Sequence, residues 1–232
     1  NIYNVFYGYL SYTYRVLIKY RSAMIISTAH SKGGVGKTTT ALNLAAILKP
    51  DIIIDQDLHK GLSVLNEHRK HPYNVLSGHN SKELIAVLRE ANETNKLVII
   101  DCGGFDSDIN RKAIAASDLV IVPANDGPTE VIGLTTFDKT LSEISREFDV
   151  EINAKLLLTR VNPNRKYFDD IESFVAKSTH MTKLNGRLPA RKEYASAMYD
   201  ALGVTEHKAT KYSVAARDVK AVAKEIKNLL CI

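Results

Sequence analysis

Residues 32–39 read Lys-Gly-Gly-Val-Gly-Lys-Thr-Thr, directly after the apolar stretch Met24-Ile25-Ile26-Ser27-Thr28-Ala29. An apolar strand, a glycine turn and a helix-period segment follow one another here with no room for anything else. The glycine-rich turn leaves several backbone N–H groups pointing into one concavity, and the positive end of the next helix adds to it, which makes a phosphate cradle. In such a cradle Lys37 reaches the β- and γ-phosphates and the Thr38 hydroxyl ligates Mg²⁺. Gly33, Gly34, Val35, Gly36 and Thr39 complete the loop. A dinucleotide fingerprint is excluded, because Gly34-Val35-Gly36 lacks the third glycine of G-x-G-x-x-G.

The rest of the chain repeats the strand-then-helix theme. Apolar runs at 24–29, 51–55, 97–101, 118–123, 155–160 and 184–188 read as strands, and helical periods fill 38–48, 81–92, 107–116, 129–148, 167–178, 191–202 and 213–230. Continuous apolar strands alternating with helices predict an α/β fold, a doubly wound, mostly parallel sheet covered on both faces. With 232 residues, 45% of them hydrophobic, and no repeat or linker, one domain is expected. Ligands on such sheets bind beyond the carboxyl ends of the strands, and acidic residues stand there. Asp55-Gln56-Asp57 closes the second run and Asp101-Cys102-Gly103-Gly104 the third.

The general phosphate-loop pattern G-x-x-x-x-G-K-[ST] has its first glycine where this chain has Ser31, and a second lysine, Lys32, follows it. With this lysine the chain resembles the deviant Walker-A ATPases of the ParA/MinD family, and among them the small ParA-type partition ATPases. The resemblance runs from Met24 almost to the C-terminus. It implies an Mg²⁺-dependent ATPase that turns ATP into ADP and phosphate, slowly and under a partner's stimulus. It implies an ATP-bound homodimer in which Lys32 reaches the phosphate held by the other subunit. By the same match Asp57 helps place the attacking water, Asp55 supports lysine or metal, and Asp101 holds the Mg²⁺ through water. Here Leu58-His59 follows Asp57 where the family has Pro-Gln. The run Leu156 to Pro163 is close to the strand that leads to the adenine pocket, so Asn162 is a candidate contact to the base, although an Asn-Pro turn explains it equally well. Pro189, in Leu188-Pro189-Ala190-Arg191, stands where the family's backbone borders adenine.

Charge and cysteines narrow the uses. The formal net charge is +5, of which Arg15, Lys19 and Arg21 supply +3; the remainder has 28 basic against 26 acidic residues. Cys102 and Cys231 stand far apart with no C-x-x-C, which argues against a disulfide scaffold, a zinc ribbon or an inter-subunit iron–sulfur cluster, and suits a reducing compartment. Residues 1–23, tyrosine-rich and free of acid, fit neither a membrane span nor a signal peptide. They are read as a disordered extension or non-native leader before a single ATPase domain at 24–232. The last helical segment is amphipathic and basic. Val214, Val219, Val222, Ala223, Ile226, Leu229 and Leu230 mark one face, with Arg217, Lys220, Lys224 and Lys227 on the other. It lacks the bulky aromatics of an interfacial anchor, so membrane attachment in the MinD manner ranks second. Non-specific DNA binding through Lys208, Lys211, Arg217, Lys220, Lys224 and Lys227 ranks first, for a cytoplasmic, nucleoid-associated ATPase that partitions plasmid or chromosomal DNA with a ParB-like centromere-binding partner.

Overall fold

The computed structural model describes residues 22–77 and 80–232. Of the expected leader, residues 1–21 lie outside the described residues. The next two belong to the body: the Ser22 amide donates to Asn92 Oδ1 at 2.5 Å, and Ala23 is buried in the core.

Seven strands form the sheet: β1 Met24–Thr28, β2 Ile52–Asp55, β3 Val75–Ser77, β4 Leu97–Asp101, β5 Leu119–Ala124, β6 Ala154–Thr159 and β7 Met181–Leu188. Every pairing among them is parallel, in the order β3-β2-β4-β1-β5-β6-β7. Eight helices are described: α1 Lys37–Leu48, α2 Gly61–Glu67, α3 Ser81–Glu93, α4 Asp108–Ala116, α5 Pro128–Phe148, α6 Asp169–Val175, α7 Lys192–Tyr199 and α8 Val214–Leu230.

Because side chains alternate along a strand, each all-apolar run feeds two cores at once. Ile53, Ile99, Ile26 and Leu119 stand side by side in register and pack under α1, α2, α7 and α8. Their neighbours Ile54, Ile100 and Val120 face the other way, into a core with Leu84 and Leu88 of α3, Ala113 of α4 and Leu134, Phe137 and Leu141 of α5. The doubly wound sheet expected from the sequence is thus present, and is parallel throughout its described pairs. The strand β3 and the helix α2 were not expected. Helices α6 and α7 are also shorter than the periods at 167–178 and 191–202 suggest.

The last helix is docked. Its Ala215, Ala216, Val219, Val222, Ala223 and Ile226 are buried, but Val214 and Leu229, expected on the same face, are 41% and 42% exposed. The helix lies so close to β7 that a Cβ on Gly186 would come within 2.7 Å of Val222 Cγ2 and 3.2 Å of its Cα. Glu225 ties the two together, accepting from the amides of Asn185 at 2.9 Å and Gly186 at 2.8 Å, donors that the edge of the sheet leaves open.

Parallel strands bring their carboxyl ends to one rim. There the register sets Asp55 beside Asp101, and Asp101 beside Thr28. The central strand β1 is flanked by β4 on one side and β5 on the other, where the chain's winding reverses. The glycine turn leaves β1 at this switch point.

Candidate nucleotide-binding site

The turn takes the form that its composition allows. Gly34 has φ +73° and Gly36 φ +103°, in the left-handed region that costs an L-residue strain. Gly36 caps α1 with no side-chain hydrogen bond, and no acidic residue occupies the first turn. The first amides of α1 are therefore free to bind an anion from outside. Lys37 curls back over the loop, its Nζ donating to the Lys32 carbonyl at 3.0 Å. Burial lowers its pKa, against the opposing pull of Asp101, Asp57 and Cys102. Gly104 comes up beside it: a Cβ there would stand 3.3 Å from Lys37 Nζ.

The two strand-end acids have different surroundings. Asp101 is completely buried and accepts from Thr28 Oγ1 at 3.0 Å through one oxygen, while Oδ2 has no protein partner. Burial, with Asp55 nearby, pushes its pKa up to about 7, against the nearby Thr38 hydroxyl, the hydrogen bond from Thr28 and the charge of Lys37. Asp55 is spoken for. Its Oδ1 accepts from the Asp57 amide at 3.1 Å, and its Oδ2 takes both the amide and the hydroxyl of Ser63, each at 2.8 Å. It anchors α2, which has no side-chain cap of its own. Asp57 holds the loop after β2 by accepting from the His59 amide at 2.9 Å, and it remains only half-buried. Burial pushes the Cys102 thiol up, so it stays protonated and inert.

Lys32 points out of the cradle. Its Nζ lies 3.2 Å from Glu130 Oε2 and 3.2 Å from Thr129 Oγ1, at the start of α5. Behind it, Glu130 Oε1 is 3.1 Å from His30 Nε2, with both side chains wholly buried, and His30 stacks on Phe137. Burial alone would raise the Glu130 pKa; the contacts of His30 and Lys32 bring it below the usual value. A single chain thus gives Lys32 a partner of its own.

Beside the loop is a cleft of about 290 Å³ lined by residues that include Gly36, Thr39, Thr159, Arg160, Pro189, Tyr194 and Met198. Thr39 Oγ1 reaches Met198 Sδ at 3.3 Å and so joins the loop to α7.

The CobQ/CobB/MinD/ParA nucleotide-binding domain matches this chain over residues 26–204, nearly all of the sheet and its loops. The chain belongs to that family. It is accordingly a nucleotide-binding domain of the ParA/MinD type. Among curated relatives, Protein ParA of Rhizobium radiobacter is 27% identical over 146 residues, which span 60% of this chain and 65% of that protein, just under two thirds of its length. The maintenance of carboxysome distribution protein A of Gloeobacter kilaueensis is 24% identical over 87% of this chain and 93% of its own. The fold is that of the cell division ATPase MinD from Pyrococcus furiosus, with a TM-score of 0.63 at 16% identity over 89% of this chain and 99% of that one.

In this ParA/MinD-type domain the residues fit a magnesium nucleotide. The lining offers uncapped amides, a buried ammonium and a buried carboxylate with one unpartnered oxygen, beside a cleft large enough for a base. Phosphate oxygens suit the first two, and a hydrated Mg²⁺ the third. Asn162 is absent from the cleft lining; its Oδ1 accepts from the Asn164 amide at 2.9 Å, the self-contained turn that an Asn-Pro pair favours. The topology also brings Glu130 to Lys32 and Met198 to the cleft, neither of them named by a sequence expectation, while Arg160 and Tyr194 lie in runs that the resemblance placed near the base. Among the described residues no group of His, Cys, Asp and Glu is arranged to hold a metal by itself, and no helix is long and apolar enough to cross a membrane.

Proposed function

We propose that the chain is an ATP-dependent dimerising ATPase that binds DNA without sequence preference and positions or partitions it together with a DNA-binding partner protein. The observation that carries the reading is the opposed placement of two lysines on one loop: Lys37 buried within it, and Lys32 on its rim with a side chain 39% exposed. Lys37 and the loop amides would hold the β- and γ-phosphates. Thr38 and Asp101 would hold Mg²⁺, Thr38 directly and Asp101 through water. Bound there, the metal would neutralise charge on the phosphate oxygens.

Hydrolysis then needs a positioned water and charge compensation. Asp57 accepts a hydrogen bond from the water, whose oxygen bonds to the γ-phosphorus as the bond to the bridging oxygen breaks, leaving ADP and phosphate. Lys32 of the partner subunit supplies the second positive charge after leaving Glu130. ATP would thus favour the dimer, and its hydrolysis would release it.

DNA is favoured as the track because α8 has spent its apolar face on the sheet and turns exposed Arg217, Lys220 and Lys224 outward, with Lys208 exposed nearby. Paired subunits would double that density. The test is co-sedimentation with DNA, and separately with anionic liposomes, each with ATP, ADP or neither. ATP-dependent recovery with DNA, steeply reduced by salt, is expected. Recovery with liposomes alone would replace this reading by a MinD-like membrane-positioning one. A protein assembly is a second reading for the cargo, drawn from the likeness to the carboxysome distribution protein along 87% of the chain.

A further inference from the structure

Arg160 stands where β6 ends, with φ +57°, a left-handed conformation unusual for a non-glycine residue. Its amide donates to the Leu188 carbonyl at 2.8 Å, which fixes that conformation against the end of β7. Its side chain lines the base cleft, and its guanidinium Nη1 donates to the carbonyl oxygen of Gly34 in the phosphate loop. The residue before it does the same one step along: Thr159 Oγ1, buried, donates to the Val35 carbonyl at 2.8 Å.

These two bonds decide which way the loop's peptides face. A trans peptide is planar, with its C=O and N–H on opposite sides, and no cis peptide is present among the described residues. Holding the Gly34 carbonyl toward β6 turns the Val35 N–H away from it. Holding the Val35 carbonyl does the same for the Gly36 N–H. Those are two of the amides that a phosphate would use, and without the bonds the left-handed glycines on either side could let the peptides flip.

Building on the nucleotide reading of this site, we propose that Arg160 is a positioning residue for phosphate binding: from the wall of the base cleft its guanidinium sets the orientation of the Gly34–Val35 peptide. Two demands follow. Removing the guanidinium must weaken ligands that have phosphates but no base. A shorter donor at the same place must recover part of the loss.

The experiment is calorimetric titration of the full chain with ATP and with inorganic tripolyphosphate, both with Mg²⁺, for wild type, Arg160→Asn and Arg160→Lys. Asparagine tolerates the left-handed backbone but cannot reach Gly34, so the melting temperature of Arg160→Asn should match wild type. Expected is a loss of about tenfold in affinity for both ligands in Arg160→Asn, the scale of one charge-assisted hydrogen bond, and recovery to within about threefold in Arg160→Lys. Tripolyphosphate binding unchanged in Arg160→Asn would overturn the proposal, whatever happens to ATP, because Arg160 would then only line the base cleft. A lysine variant no better than the asparagine one would overturn it too. Wild-type protein that bound neither ligand would overturn the nucleotide reading itself, and this proposal with it.

Discussion

Lys37 carries its charge where burial opposes it, so its neighbours Asp101 and Asp57 must keep it protonated until phosphate arrives. Neutralising it leaves the loop amides to bind the anion alone. Lys37→Ala is expected to weaken ATP by at least about tenfold in a titration. Asp57 is half-buried, and its side chain accepts a hydrogen bond from the His59 amide rather than from the loop's phosphate-facing groups, so its loss should spare binding. Asp57→Ala should bind ATP as wild type does and lose hydrolysis by about a hundredfold or more, as befits a group that acts on the water. The phosphate loop was legible early because it is contiguous and its chemistry is written in eight neighbouring residues, whereas the reading of Asp57 came from the resemblance. Arg160 was not, because it touches Gly34 across 126 positions of sequence. Glu130 was missed for the same reason, 98 residues from Lys32. For Asn162 the sequence left a base contact and a turn equally open, because a polar side chain after a strand can serve its own turn as readily as a ligand; the structure shows the turn bond.

At the scale of elements, long apolar runs announced their strands and a 3.6 period its helices, whereas β3 and α2 carry neither signal. The strand β3 is three half-buried residues at the sheet's edge. The helix α2 is seven residues, opens on Gly61 and is entered through Lys60 in a left-handed conformation. What holds it is tertiary, with Asp55 gripping Ser63 near its start. Beyond its end the Arg69 guanidinium lies 2.7 Å from Glu206 and stacks over Tyr73. Burial would raise the Glu206 pKa, but bonds from Arg69, the Gly203 amide and Tyr73 lower it below its ordinary 4.5. Its stabilising contribution is thus fully present above about pH 4.5 and is lost as pH falls through the lower, folded-state value. Glu206→Gln should melt lower than wild type at neutral pH, and the gap should narrow in acid. A second expectation concerns α8. Gly186→Ala would push a methyl into Val222, and a stability loss of about 1–3 kcal/mol is expected from chemical denaturation.

For the whole molecule, the parallel register places Thr28, Asp101 and Asp55 in one row under the phosphate loop, so the sheet itself assembles the site. On the proposed reading, one chain would hold the phosphates through its own loop, and Lys32, 3.2 Å from Glu130, would be used only when a second copy pairs with it. Sedimentation velocity of wild type and Lys32→Ala, each with Mg²⁺ and ATP, ADP or a nonhydrolysable ATP analogue, tests that division of labour most directly. Wild type should be monomeric with ADP and dimeric with the analogue, whereas Lys32→Ala should bind the analogue yet stay monomeric. Wild type that stays monomeric at saturating analogue, or a Lys32→Ala protein that pairs as well as wild type, would contradict it.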